Sequence, residues 1–453
     1  MIAAEKVDVA EQVYGDAGQQ ELDATFRKVL KRIVLLLVVS YVVAFLDRIN
    51  IGFAKLQLQG EIGITDIQYG FAAGIFFLGY VLFEIPSNIW LERIGARKTL
   101  LRIMVSWGVV AAATAFVKTP EQLYVLRFLL GVLEAGFFPG IILYLSYWFP
   151  ASQRGRATGL FYTAPMIAGL IGGPLSGTLI SSLHQVGGLS GWQWCLLIEG
   201  IPAIVLGFAC YYLLADKPEE AKWLTDREKH LVSVAIAREF HDKDQGHAHG
   251  DHTSVAGIMA MLRNPRIYLL AFLYFSVVTG GYALNFWIPT MIRTLGIKDV
   301  FDIGLYTMLP FLLSLIAIVL VSRSSDKFQE RRWHYSIPAV VGALALIATT
   351  SPNLSFISAL VLLSVGFAGI NVAIALFWTI PPSYLRADCA AVGLATISSI
   401  GAISGFVGPY LIGWARSATG SNANALYLIG LLVVVAAVLM VVFVPRSVLA
   451  RSA

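Results

Sequence analysis

A chain of 453 residues, 57% of them hydrophobic and only 13% charged, with a mean hydropathy of +0.73, is too apolar to fold as a soluble globule. Apolar runs recur along almost its whole length, which excludes a single-anchor protein and leaves no space for a separate soluble catalytic domain. The net charge of +5, from 33 Lys+Arg against 28 Asp+Glu, reads as the cation excess that membrane proteins keep on cytoplasmic loops, not as a nucleic-acid footprint.

Residues 1–28 are polar and acidic and lack the cationic start, short apolar run and cleavage site of a signal peptide, so a partly disordered cytoplasmic tail is expected. From Val29 onward twelve candidate spanning helices follow: about 30–54, 67–90, 99–117, 121–148, 157–182, 193–214, 265–293, 303–322, 334–350, 355–380, 390–415 and 424–444. An all-α membrane protein results, with six helices in 29–214, a polar cytoplasmic loop over 215–263, six more in 264–445 and a cytoplasmic tail over 446–453. Placing the N-terminus inside assigns 26 of the 33 Lys+Arg to cytoplasmic segments and five to outside loops. Without the long central loop and its eight cations the count is still 18 against five, which puts both termini in the cytoplasm.

Within the central loop, "HDKDQGHAHGDH" (His241 to His252) holds four of the seven histidines, and it reads as a solvated tract rather than a metal site. Cys195, Cys210 and Cys389 lie in or beside apolar runs at spacings that make neither a metal site nor a disulfide framework. No metal and no cofactor are expected, and without a H-E-x-x-H motif or a Cys/His cluster in the helices an enzyme is not expected either.

The two sets of six look like copies of one unit. "IWLERIGARK" (Ile89 to Lys98) follows the second helix and "SRSSDKFQERRWHYSIP" (Ser322 to Pro338) follows the eighth, with Glu92 and Asp326 separated by 234 positions. "GGPLSG" (Gly172 to Gly177) and "GPYLIG" (Gly408 to Gly413) place Pro174 and Pro409 at an offset of 235. Two matches at nearly one period suggest the duplicated halves that transporters use.

Ionisable side chains at bilayer depth cost at least about 2.5–3.5 kcal/mol each, so every one is a functional candidate. They are Asp47, Arg48, Glu84, Arg127, Glu134 and Glu199. Asp47 and Arg48 are neighbours and point about 100° apart on a helix, so they are not expected to neutralise each other. Arg127 and Glu134 are seven residues apart, on one helix face, roughly 10.5 Å apart along the axis. Glu84, before Pro86, and Glu199, before Pro202, read more simply as helix-packing or snorkelling residues. A guanidinium in a low-dielectric cavity binds a carboxylate as a bidentate pair, which makes Arg127 and Arg48 candidate binders of an anion. Carboxyl groups desolvated nearby can take up protons near neutral pH, so Asp47 and Glu134 are candidate proton carriers. If protonation frees an arginine from its carboxylate partner, proton and anion binding become coupled, which is symport in outline. Sodium remains open as the coupling ion.

The order of helices, the central loop and the stretch Asn88 to Lys98 resemble the major facilitator superfamily, whose loop motif Glu92, Arg93, Gly95, Arg97 and Lys98 match. The resemblance implies a cytoplasmic latch for Glu92, Arg93, Gly95 and Arg97, with Asp326 as the counterpart in the second half. "LDRINIGFA", "FEIPSN", "IEGIP" and "SDKFQERRWH" further resemble the anion:cation symporter family and its bacterial tartrate, phthalate and hydroxyphenylacetate permeases. That resemblance implies proton handling by Asp47 and Glu134 and substrate contact by Arg127. It also places Tyr80, Tyr144, Tyr162, Asn285, Trp287, Asn371, Phe377 and Trp378 on cavity-lining helices, and Ala402 where members often carry Asn. The aromatic residues lean toward an aromatic or planar acid. The expectation is a monomeric transporter in a bacterial inner membrane, taking up a small organic anion with protons.

Overall fold

The computed structural model describes residues 16–246, 263–381, 385 and 390–445, and every regular element among them is helical. Eleven of the described helices are long and apolar enough to cross a bilayer, and one more, Arg332–Ala348, in the place of the ninth span, is 17 residues long. Several spans begin where the sequence supplies caps. Thr65 and Gln68 form a capping box before the second span, Asp66–Ile94. Thr119 and Asn264 cap helices that open on Pro120 and Pro265, where a missing N–H costs nothing. Asp299 and Ser355 cap the eighth span, Val300–Phe328, and the tenth, Phe356–Phe377.

Three expectations are corrected. Residues 16–28 belong to a helix, Asp16–Val29, that runs through a π turn, Leu30–Val34, into the first span, Leu35–Glu61. Leu22, Phe26 and Val29 recur at helical spacing and are buried, with Phe26 5.9 Å from the Phe149 ring, so this segment has an apolar face to pack. The central loop carries a helix of its own, Asp226–Gly246, tied to the first helix by Lys28–Glu228 at 2.8 Å and Arg227–Glu21 at 2.7 Å. The fourth and fifth spans are each broken in two. The fourth is Pro120–Glu134 and Phe137–Ser146, separated by Ala135 and the left-handed Gly136. The fifth is Ala151–Phe161 and Ala164–Ser182, interrupted at Tyr162–Thr163, where Pro165 has no N–H to bond back to the Phe161 carbonyl. Residues 1–15, the histidines 247, 249 and 252, Cys389 and the 446–453 tail lie outside the described residues.

The third span is Ala96–Ala113, the sixth Gly191–Leu213, the seventh Pro265–Thr294, the eleventh Ala390–Thr419 and the twelfth Ala423–Phe443. Spans two and eleven, and five and eight, cross between the two halves. Their contact is backbone against backbone. A side chain on Gly70 would come within 2.6 Å of the Pro409 carbonyl, and Gly177 faces Val300 and Gly304 as closely, which is the approach that small residues allow in membranes. The hydrogen bonds and ion pairs joining the halves gather at the end of the bundle opposite the described termini. There Tyr69 OH donates to the Phe286 carbonyl (2.9 Å), the Ile67 N–H to Ser417 Oγ (2.9 Å) and Arg293 Nη1 to the Leu56 carbonyl (2.6 Å). At the same end Asp66 bridges Lys55 Nζ (2.7 Å) and Arg416 Nε (3.0 Å), with Lys55 also 4.2 Å from the Trp287 ring.

The ends of spans two and eight fall at one period, though by different turns. Gly95, ending span two, and Gln329, ending span eight, both have positive φ, 89° and 49°, and are 234 positions apart.

Candidate functional site

Between the halves, at mid-depth and continuing toward the terminus end, lies a cavity of about 170 Å³. Tyr41 and Arg48 face it from span one, and Phe77, Tyr80 and Glu84 from span two. The broken spans four and five contribute Phe138 and Tyr162, span seven Tyr274, Val278 and Tyr282, and the end of span ten Trp378. Ser398, Gly401 and Ala402 complete it from span eleven. On spans one, two and seven successive lining residues are three, four or seven positions apart, which is one face of each.

Arg48 is the basic residue among these lining residues, and its Nη2 is paired with Glu134 Oε1. The helix break at Ala135–Gly136 follows directly after Glu134, so span four bends away where its carboxylate meets span one. The guanidinium carbon is 5.1 Å from the Phe76 ring centre and 5.8 Å from those of Phe77 and Tyr80. Aromatic faces attract a cation without neutralising it, so Arg48 keeps anion affinity in a site poor in water. Asp47 turns the other way, as expected from the 100° step, and its Oδ2 accepts from Trp107 Nε1 at 2.7 Å inside the first half. Its Oδ1 has no partner among the described residues.

The structure brings together some of the expected site residues and separates others. Arg48, Tyr80, Tyr162 and Trp378 line the cavity. Arg127 does not: it is 2% exposed, lies 5.3 Å from the Phe76 ring, and its Nε–H reaches the Ala72 carbonyl at 3.4 Å. The cation facing the cavity comes from span one rather than span four, and the two guanidiniums share the Phe76 ring, Arg48 at 5.1 Å and Arg127 at 5.3 Å. Trp287 is also displaced, buried in the far-end closure with its Nε1–H on the Pro409 carbonyl at 3.1 Å. Asn285 and Asn371 do not line the cavity either, and each donates to its own helix backbone, at 2.8 Å, to Gly281 and Phe367. Tyr144 donates to the Ala215 carbonyl at 2.6 Å, and Phe377 stacks on Tyr274 with centres 4.8 Å apart. Glu199, held by Ser176 Oγ at 2.7 Å, is buried in packing as expected.

Glu84, expected as a packing residue, is a cavity residue, as are Tyr41, Phe77, Phe138, Tyr274 and Tyr282. The seven-residue steps from Tyr41 to Arg48 and from Phe77 to Glu84 were the available signal. In an all-apolar helix such a stripe has no polar background to stand out from.

The loop residues lie at the terminus end, and none of their described contacts joins the two halves. The Arg97 N–H donates to Asp216 Oδ1 at 2.9 Å and its Nε–H to the Tyr211 carbonyl at 2.8 Å. Gly95 has φ 89° and ψ 162°, a conformation that is nearly glycine-only, and a Cβ there would strike the Asp216 carboxyl. Glu92 and Arg93 are exposed, and Asp326 pairs with Arg331 Nη1 at 2.6 Å.

Twelve spans in two related halves, closed at one end and enclosing a charged cavity at mid-depth, make the architecture of a secondary transporter rather than an enzyme. The chain belongs to the Major Facilitator Superfamily, whose family model matches residues 37–409. It is 41% identical over 431 residues to a protein of Agrobacterium vitis named "Putative tartrate transporter", covering 94% of this chain and 93% of that one. It is 36% identical over 405 residues to the "Quinolone resistance transporter" of Acinetobacter baumannii, covering 89% and 91%. It is 35% identical over 411 residues to the "Inner membrane transport protein RhmT" of Escherichia coli, covering 89% and 92%. Among solved structures, an inward open conformation of the xylose transporter XylE from E. coli matches with a TM-score of 0.72 at 16% identity, over 92% of this chain and 96% of that one, which shows the shared fold.

Proposed function

We propose that this chain imports a small organic anion together with protons, as a monomer in a bacterial inner membrane with both termini in the cytoplasm. The observation that carries the reading is the Arg48–Glu134 pair at the cavity wall. A carboxylate substrate and Glu134 compete for one guanidinium, so a proton arriving on Glu134 releases Arg48 to the substrate. A proton leaving Glu134 reclaims Arg48 and expels the anion. Asp47 is the second proton carrier in this scheme, on the far side of span one and joined to span three through Trp107. The charge count puts the terminus end in the cytoplasm, and the conformation is then inward-facing, with Glu92, Arg93, Gly95, Arg97 and Asp326 released from the latch they form when that side closes.

The substrate class follows from the lining. Eight of the fourteen lining residues are aromatic, and about 170 Å³ is comparable with the roughly 150 Å³ cavity that takes up a benzene ring. A compact aromatic carboxylate such as phthalate or hydroxyphenylacetate fits this description. The Agrobacterium vitis relatives supply tartrate, a hydroxy-dicarboxylate, as the other candidate.

The test is external pH in weakly buffered cells expressing the protein, on addition of tartrate, phthalate, hydroxyphenylacetate and galactonate in turn. Alkalinisation with one acid is expected. Arg48→Lys, which keeps the charge but loses the fork, is expected to weaken binding by about ten- to a hundredfold. Glu134→Gln is expected to retain binding and lose accumulation against a gradient. Uptake driven by sodium with no proton movement would replace the coupling ion, and binding without any uptake would make the protein a sensor.

A further inference from the structure

A groove between spans one and six, at the terminus end, takes no part in the chemistry above. The two helices pack with Ser40 Oγ 3.6 Å from Cys210 Sγ on their buried side. Their outer sides are apolar and uncovered. Leu35 and Val39 of span one are 59% and 42% exposed, and Val205, Phe208 and Tyr212 of span six are 62%, 46% and 73% exposed. Positions 205, 208 and 212 share one helix face, away from Cys210, so each helix presents an apolar strip outward, and the two strips reach the same cavity through Arg32 and Tyr212.

Both strips run down to cations. Arg32 lies one turn before Leu35, and the chain leaves span six just after Tyr212. Here a cavity of about 440 Å³ is lined by Arg32, Arg97 and Lys222 against a single acid, Glu220. Trp223 forms one wall, stacked on Trp148 with centres 5.7 Å apart and planes 10° apart, and the Arg32 guanidinium lies 5.4 Å from its ring centre. Arg97 is held in place through Tyr211, whose carbonyl accepts its Nε–H and whose ring lies 5.1 Å from its guanidinium. Arg32 and Arg97 are therefore positioned by aromatic rings, and the Asp216 carboxylate beside Arg97 accepts from its backbone N–H rather than from its guanidinium. A net excess of two positive charges at the depth of the headgroup layer, under two apolar strips, fits a molecule with a phosphate and acyl chains.

We propose that this groove binds a glycerophospholipid of net negative charge, its phosphate among Arg32, Arg97 and Lys222 and its acyl chains along Leu35–Val39 and Val205–Tyr212. A free phosphate would use the cations but not the strips. A zwitterionic lipid would use the strips but bring its own ammonium into a cationic cavity.

The experiment is native mass spectrometry of the full chain in detergent, titrated with phosphatidylglycerol, with phosphatidylcholine of the same chains, and with inorganic phosphate as competitor. Phosphatidylglycerol is expected to bind at least tenfold more tightly than phosphatidylcholine. The double variant Arg32→Ala, Lys222→Ala is expected to lose roughly thirtyfold in that affinity, about fivefold per cation removed. The charge-preserving pair Arg32→Lys, Lys222→Arg is expected to keep it within a few fold, which separates lost binding from lost folding. Equal binding of the two lipids, or full binding by the alanine pair, overturns the proposal. Displacement of phosphatidylglycerol by inorganic phosphate at comparable concentration overturns it in favour of a soluble-anion site. Arg97 is left unchanged because it also belongs to the latch.

Discussion

Asp66 offers a direct test of how the far end of the bundle stays closed. Its carboxylate lies between Lys55, whose side chain is 1% exposed, and Arg416, which is 14% exposed, and these three residues come from spans one, two and eleven. Asp66→Ala leaves two cations facing each other with no anion between them. Removing one partner of a buried pair costs about 3–5 kcal/mol. Because Asp66 is itself 16% exposed and water can reach the vacated site, the lower end, about 3 kcal/mol, applies here. The penalty falls on the closed far end, since opening would hydrate Lys55. The equilibrium between the two conformations should therefore move roughly a hundredfold toward an open far end, turning a population of about 99:1 into about 1:1. Spin labels on cysteines replacing Gly60 and Ala418, exposed positions at the far ends of spans one and eleven, report this as a second, longer distance in pulsed electron resonance. The double variant Lys55→Ala, Asp66→Ala should recover most of the short distance, because it removes the fully buried cation and leaves only Arg416, 14% exposed and still hydrogen-bonded to Asn422 Oδ1 at 3.0 Å, without its carboxylate. A folded Asp66→Ala protein with the wild-type distance distribution would refute the assignment of the clamp.

Two further outcomes follow from single contacts. Trp107→Phe keeps the ring that packs 5.2 Å from Phe137 but removes the only described donor to Asp47, leaving a buried carboxyl without a partner. A lower thermal unfolding midpoint is expected, worth about 1–3 kcal/mol, and an unchanged midpoint would mean that Asp47 finds another donor. Gln329→Gly relieves a left-handed conformation at φ 49°, ψ 41° that costs a side-chain-bearing residue about 1–2 kcal/mol, partly offset by the greater freedom of glycine when unfolded. A rise in the midpoint is expected, and a fall would show that the Gln329 Nε2–H bond to the Asp326 carbonyl at 2.9 Å outweighs the strain.

The architecture was legible because span length is set by bilayer thickness, so hydropathy alone separates twelve helices and a linker. What hydropathy cannot see is where a helix breaks inside an apolar run. Gly136 and Pro139, and Pro165 in the fifth span, look the same in a sequence whether they kink, break or merely pack. The charged candidates were legible because burial is expensive for each of them, and the 100° step between Asp47 and Arg48 correctly sent them to different partners. Which arginine faces the cavity was not legible. It depends on how span four packs against span two, which buries Arg127 beside Phe76 and against the Ala72 carbonyl. Asn285 and Trp287 failed as cavity residues for a related reason. They lie beyond Tyr282 on span seven, where the two halves have already closed.

The paired positive-φ residues, Gly95 and Gln329, bear on how the two halves have aged. At Gly95 the chain takes φ 89°, ψ 162°, a region nearly closed to any side chain, whereas at Gln329 it takes φ 49°, ψ 41°, which a side chain can enter at some cost. The two copies thus leave corresponding spans at the same register by different turns, so the first half cannot exchange this position for a larger residue and the second already has.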